Sequence, residues 1–313
     1  MTVFNRPSII DEAAAASISA KKGKKPGLFI VLEFLVMLLV FFIGIIAQSV
    51  AVAIADIPYN MRLKMDPSVE SIMGLSFENY LVFDSLLCTA AMTAVVLLFI
   101  RIIQRRKIRT AGFVKKNALK HYLIGLLIGS GMFAVSIGIC VMLGALKISC
   151  AGGFSPYAML ILFLGWMIQG NSEEVMCRGY LLVSVSRRYN VAVGVLFNSL
   201  IFGALHLGNN GVSVLPIVNI VLFGIVMSLV FLKTGNIWMV SAMHTSWNFV
   251  QGNVFGVLVS GGSMGDTILL SKFTEGRDII NGGDFGLEGG LAVTLVLIIT
   301  IVILSFIKPC KEA

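Results

Sequence analysis

Charge is what this chain has least of. Of its 313 residues only 13% are Asp, Glu, Lys or Arg, against roughly a quarter in soluble domains. That deficit argues against one large aqueous globule. Cysteine is also sparse: Cys88, Cys140, Cys150, Cys177 and Cys310 are scattered, odd in number and without a C-x-x-C spacing. A disulfide framework or a thiolate metal site is not expected, and nothing specifies a Cys140–Cys150 pair. Histidine occurs three times. There is no Gly-rich phosphate loop and no solenoid repeat. The first 26 residues carry no apolar core of the signal-peptide kind, and the first apolar block is too long to be one.

Apolar side chains are abundant, at 57% of the chain with a mean hydropathy of +0.93. They come in eight blocks, approximately 28–55, 80–103, 122–146, 156–183, 191–208, 212–232, 236–257 and 289–307. A helix needs roughly 20 apolar residues to cross the hydrocarbon. The fold class expected is all-α, a polytopic transmembrane helix bundle of about eight spans. Lys233-Thr234-Gly235 reads as a turn between antiparallel helices.

The net charge of +8 invites a nucleic-acid reading, but its distribution points to topology. Alternating the spans puts most of the 24 basic residues on one side. That side holds the N-terminal tail (Arg6, Lys21, Lys22, Lys24, Lys25), the connection from Arg101 to Lys120, Arg187, Arg188, Lys233, Lys308 and Lys311. Arg62, Lys64, Lys147, Lys272 and Arg277 fall on the other. By the positive-inside rule both termini are cytoplasmic. The partners expected are the lipid bilayer, with some attraction to anionic lipid, and a membrane-anchored substrate, with no nucleic acid. Five regions follow: a disordered basic tail (1–26), N-terminal spans (27–150), a core (151–257), a Gly-rich acidic extracytoplasmic loop (258–288), and a last span with a short tail (289–313).

Ionisable groups in the hydrocarbon cost about 2.5–3.5 kcal/mol or more, so each asks for a reason. Glu33 and Asp84 are near span ends and are expected to snorkel to an interface. The fourth block differs: it reads Gly-Asn-Ser-Glu-Glu-Val-Met-Cys-Arg over 170–178. Glu174 and Arg178 are four apart, acid first, and can pair on one helix face. Glu173 is rotated by about 100° and is left free. By itself the motif reads equally well as a structural ion pair. The histidines tip the balance. His121 sits beside the basic connection and reads as interfacial. His206 lies in the fifth block, and His244 in the seventh, sharing a helix face with Asn248. Straight helices would put Glu173 roughly 20 Å from Arg188, His206 roughly 20 Å from Asn190 and His244 roughly 12 Å from Asn236. His244 then lies off the level of the other two.

The ordered set Glu173-Glu174-x-x-x-Arg178, Phe202-x-x-x-His206 and His244-x-x-x-Asn248 resembles the CPBP family. That family comprises CAAX prenyl endopeptidases and bacteriocin-processing or immunity relatives, also called Abi. The resemblance covers roughly 155–257. It implies that Glu173 and His206 activate a water, that His244 and Asn248 stabilise the oxyanion, and that Glu174 and Arg178 support the site.

The activity expected is hydrolysis of a peptide bond in a membrane-associated, lipidated or CAAX-like substrate, without a covalent intermediate. Glu173 would take a proton from water and return it to the leaving amine. Ser172, Ser246 and Cys177 are rejected as nucleophiles because no base is paired with them. No cofactor is expected. The rival form is a zinc enzyme with Glu173, His206 and His244 as ligands, although the His-Glu-x-x-His helix is missing. The alternative class is a non-enzymatic bacteriocin-immunity or transporter-like membrane protein. The setting expected is a bacterial plasma membrane.

Overall fold

In hydrocarbon every backbone N–H and C=O must find its partner inside the protein, and long apolar blocks meet that demand as helices. The computed structural model describes residues 6–15, 26–65 and 71–308. Lys21, Lys22, Lys24, Lys25, Cys310 and Lys311 lie outside the described residues. Helix α1 is Ser8–Ala15, α2 Pro26–Met65, α3 Phe77–Leu98 and α4 Ala118–Met142. Helix α5 is Pro156–Glu174; it runs on through a π-helical stretch, Val175–Leu182, into α6, Val183–Ser186. Then come α7 Val191–Ala204, α8 Val214–Thr234, α9 Ile237–Phe249, the short α10 Asp278–Asn281 and α11 Leu291–Phe306. Strands are few: β1 Ser71–Ile72 pairs with β2 Leu75–Ser76, and β3 Leu146–Cys150 pairs antiparallel with β4 Leu269–Phe273. The all-α expectation is borne out.

Local chemistry sets the boundaries. The side chains of Ser76, Ser155, Asn190 and Asn236 cap the N-termini of α3, α5, α7 and α9 by accepting a free backbone N–H. Gly235, left-handed at φ 59°, ends α8 at the expected turn. Each apolar block falls on a helix. Among the described residues four stretches are long and apolar enough to cross a membrane, Ile30–Met61, Phe77–Ile103, Ala118–Met142 and Val214–Thr234; α7 and α11 are apolar but shorter. Large apolar side chains such as Leu39, Phe42 and Ile46 on α2, and Ile298, Val302 and Ile303 on α11, point outward. Apolar surface of that extent suits lipid rather than water.

Small residues let the inner helices approach. A Cβ on Gly170 of α5 would lie 2.9 Å from the Thr245 nitrogen of α9, and one on Gly129 of α4 would collide with the Met243 carbonyl of the same helix. Helix α9 is therefore gripped between α4 and α5, as small-residue faces allow.

The two ends of the bundle differ. One carries the basic connections. There Arg106 is fully buried and donates to Thr110, Gln104, Ser184 and the Gly179 carbonyl. Burial, and secondarily the nearby Arg187, pull its guanidinium below the ordinary value, with Glu33 opposing. Helix α1 docks at this end: Ile9, Ile10 and Ala13 are buried, and Arg6 donates to the Ser186 carbonyl. Part of the tail expected to lack structure is thus a packed helix, because Ile9 and Ile10 find an apolar seat. Glu33 and Asp84 do not snorkel; both are buried. Glu33 faces the arginines of the basic end, and Asp84 lies against Cys88. The other end carries both small sheets and the 255–290 segment.

Candidate active site

Glu173 and Glu174 end α5, and the π-helical stretch that follows begins with their neighbour Val175. Adjacent on the chain, they have different environments. The Glu174 side chain is fully buried, and its Oε1 accepts from Arg178 Nη1 at 2.9 Å and lies 2.9 Å from His244 Nδ1. Arg178 also donates to the Gly224 carbonyl of α8 at 3.1 Å and sits 4.8 Å above the Phe202 ring, a cation–π geometry. The i,i+4 pairing expected from the sequence is present, and the same carboxylate also holds His244.

With Nδ1–H given to Glu174, His244 presents Nε2 to Glu173 Oε2 at 3.7 Å. The Glu173 side chain keeps 30% of its surface exposed. Gln169, one turn earlier on α5, joins the set: its Nε2 donates to Glu173 Oε1 at 2.6 Å, and its Oε1 accepts from Asn248 Nδ2 at 3.1 Å. One amide thus fixes Glu173 and Asn248 relative to each other. Sequence reasoning missed Gln169, although its four-residue spacing to Glu173 was a usable signal.

His206 stands apart from this cluster. It follows the last turn of α7, and its Nδ1 is 2.8 Å from the Phe202 carbonyl. Its ring meets the Phe202 ring edge-on at 4.9 Å, and Phe202 in turn meets His244 at 6.1 Å. Straight-helix depths set His244 apart and paired Glu173 with His206. In the fold it is His244 that closes on Glu173 and Glu174, because the Gly170 contact brings α9 against α5. Phe202 packs against Arg178 and both histidines, a role its motif position did not reveal.

All four expected catalytic residues, Glu173, His206, His244 and Asn248, line one cavity of about 600 Å³. Its walls also include Trp166, Gln169 and Phe223, with Asn209, Ser260 and Glu288 towards the less basic end. Glu288 ends the acidic segment 258–288. It accepts from Trp247 Nε1 at 3.1 Å and from the Ser260 N–H and hydroxyl at 2.9 and 3.0 Å, tying the 255–290 segment to the cavity wall. Ser172 and Ser246 spend their hydroxyls on the Thr89 and Met243 carbonyls, and Cys177 is buried.

The rival zinc set does not fit as placed. The described residues contain no group of three His, Cys, Asp or Glu side chains disposed around a metal, and the Nδ1 contact of His244 with Glu174 leaves its Nε2 turned to Glu173.

Residues 155–250 match the family model described as type II CAAX prenyl endopeptidase Rce1-like. The match spans α5 to α9, the elements that supply every residue of the cluster. Comparison with curated proteins gave no match.

Proposed function

We propose that the chain, whose residues 155–250 match the type II CAAX prenyl endopeptidase Rce1-like family model, hydrolyses a peptide bond of a membrane-associated substrate with water activated by Glu173. A lipidated or CAAX-like peptide is the substrate type that the family match favours. The observation carrying this reading is the contrast between the two glutamates. Glu174 is spent on Arg178 and His244, while Glu173 faces the cavity beside His244 and Asn248.

A water between Glu173 Oε2 and the substrate carbonyl carbon gives a proton to Glu173 as its oxygen forms the new C–O bond. The carbonyl π electrons move to oxygen and make a tetrahedral oxyanion. Asn248 Nδ2 and a protonated His244 Nε2 are donors on the same wall; each such donor lowers the barrier by about 3–4 kcal/mol when preorganised. An imidazolium at His244 would also leave the cluster neutral, since Arg178 balances Glu174. Collapse of the oxyanion breaks the C–N bond, and Glu173 returns its proton to the departing amine. His206 lines the same cavity and would hold the water or the substrate backbone. No step uses a metal.

Two measurements test the reading. Glu173→Gln should lower cleavage of a prenylated reporter peptide in proteoliposomes by at least about 100-fold, with an unchanged thermal midpoint. Full activity in that variant would end the proposal. Activity of the unmodified protein should survive 1,10-phenanthroline; loss on chelation and recovery with zinc would favour the metal form.

A further inference from the structure

We propose that the cavity is entered from the extracytoplasmic side, so that the bond cut belongs to a substrate presented at the outer half of the bilayer rather than to a tail on the cytoplasmic face. This rests on the peptidase reading for the word substrate, but the access route stands on geometry and charge alone.

Three observations carry it. First, the cavity reaches only one end of the bundle. Beyond the catalytic cluster its walls are Gly208, Asn209 and Asn210 after α7, Ser260 to Gly262 of the 255–290 segment, and Glu288. Asn210 is exposed and Asn209 and Ser260 are half-buried, as rim residues would be. Among the described residues, none from the connections 104–117, 187–190 or 234–236 contributes to the wall.

Second, the way from Glu173 to that other end is filled. Every residue from Glu174 to Ser186 is buried. Gly179 packs so closely on Ala111 that a Cβ would lie 2.9 Å from the Ala111 carbonyl oxygen. Arg106 stitches the plug to the connection through Gly179, Ser184 and Thr110, and α1 covers it from outside. Buried charge and hydrogen bonds of this kind leave no continuous path for a peptide.

Third, the closed end is the basic one. Arg105, Arg106, Lys107, Arg109, Lys115, Lys116, Arg187 and Arg188 gather there, while Glu78, Asp266, Glu275, Asp278, Asp284 and Glu288 lie at the open end. Lys and Arg in short connections are retained on the cytoplasmic side during insertion. The open end is therefore extracytoplasmic. On the flank the cavity is lined by Phe41, Ile45 and Gln48 of α2, where Ile45 is 39% exposed. These residues lie near the middle of the span Ile30–Met61, so the apolar part of a membrane-anchored peptide would meet this wall of the cavity within the bilayer.

Thiol accessibility tests the route without requiring catalysis. In a Cys150→Ser/Cys310→Ser background, single variants Thr89→Cys and Gln48→Cys report the cavity, Asn210→Cys its rim, and Lys116→Cys the basic end. Thermal unfolding in detergent selects the variants that fold. A charged, membrane-impermeant methanethiosulfonate should modify the rim and cavity cysteines in intact cells and spare Lys116→Cys until the membrane is inverted. Cavity cysteines that stay unreactive from outside, or react only in inverted vesicles, overturn the proposal. A second arm adds a lipidated reporter peptide to vesicles of each orientation. Cleavage confined to right-side-out vesicles supports it, and cleavage confined to inverted ones overturns it. Outside labelling with no Glu173-dependent cleavage would instead count against the peptidase reading.

Discussion

Glu173 and Glu174 differ by one position, and that position decides what each can do. A full helical turn holds about 3.6 residues, so only Glu174 falls on the face of Arg178 and against His244, while Glu173 turns to the cavity. Removing one member of a fully buried ion pair strands the other and costs about 3–5 kcal/mol. Arg178→Met should therefore lower the thermal midpoint in detergent sharply, and Glu174→Gln/Arg178→Met should recover part of the loss. An additive double variant would show that the two do not interact. Gln169 acts through others: it holds Glu173 and Asn248 at 2.6 and 3.1 Å. Gln169→Leu should lower kcat by about 10²-fold through misplacement, leave KM nearly unchanged and spare the thermal midpoint. An equal rise in KM would assign Gln169 to substrate binding instead.

At the level of elements, the site depends on how near α9 comes to α5. The Gly170 contact with Thr245 sets that approach, and Gly129 of α4 backs α9 from the opposite side. Overpacking such a contact costs about 1–3 kcal/mol. Gly170→Val should both destabilise the protein and separate His244 from the glutamate pair, so that activity falls at temperatures where the variant is still folded. Gly129→Val should do the same from the other face. Activity retained in a folded Gly170→Val variant would mean that the His244–Glu174 contact is not required.

For the whole molecule, the basic end is a seal as well as a topology signal. Arg106 has no exposed surface and donates five hydrogen bonds that join the 104–111 connection to the stretch below the catalytic cluster. Arg106→Met leaves those acceptors unpaired, at about 1–3 kcal/mol for each that stays buried. The thermal midpoint should fall by several degrees, and the seal should open, so that Thr89→Cys becomes reactive from the basic side. An unchanged midpoint would show that Arg106 contributes no stability.

The sequence by itself determined the solvent, the segregation of charge between the ends, and the motif residues. Lipid demands long apolar helices, insertion sorts Lys and Arg, and an i,i+4 spacing is a local geometric fact; all three are written in runs of neighbouring residues. Glu174–Arg178 and the α8 turn at Gly235 were legible for that reason. Only the tertiary structure decided that His244 rather than His206 closes on the glutamates, that Gln169 bridges Glu173 and Asn248, that Ile9 and Ile10 anchor part of the tail, and that the cavity opens at one end alone. Those outcomes depend on which helices lie side by side and how closely. That choice is made by glycines and buried hydrogen bonds between residues about 70 to 180 positions apart, and no periodicity along the chain records it.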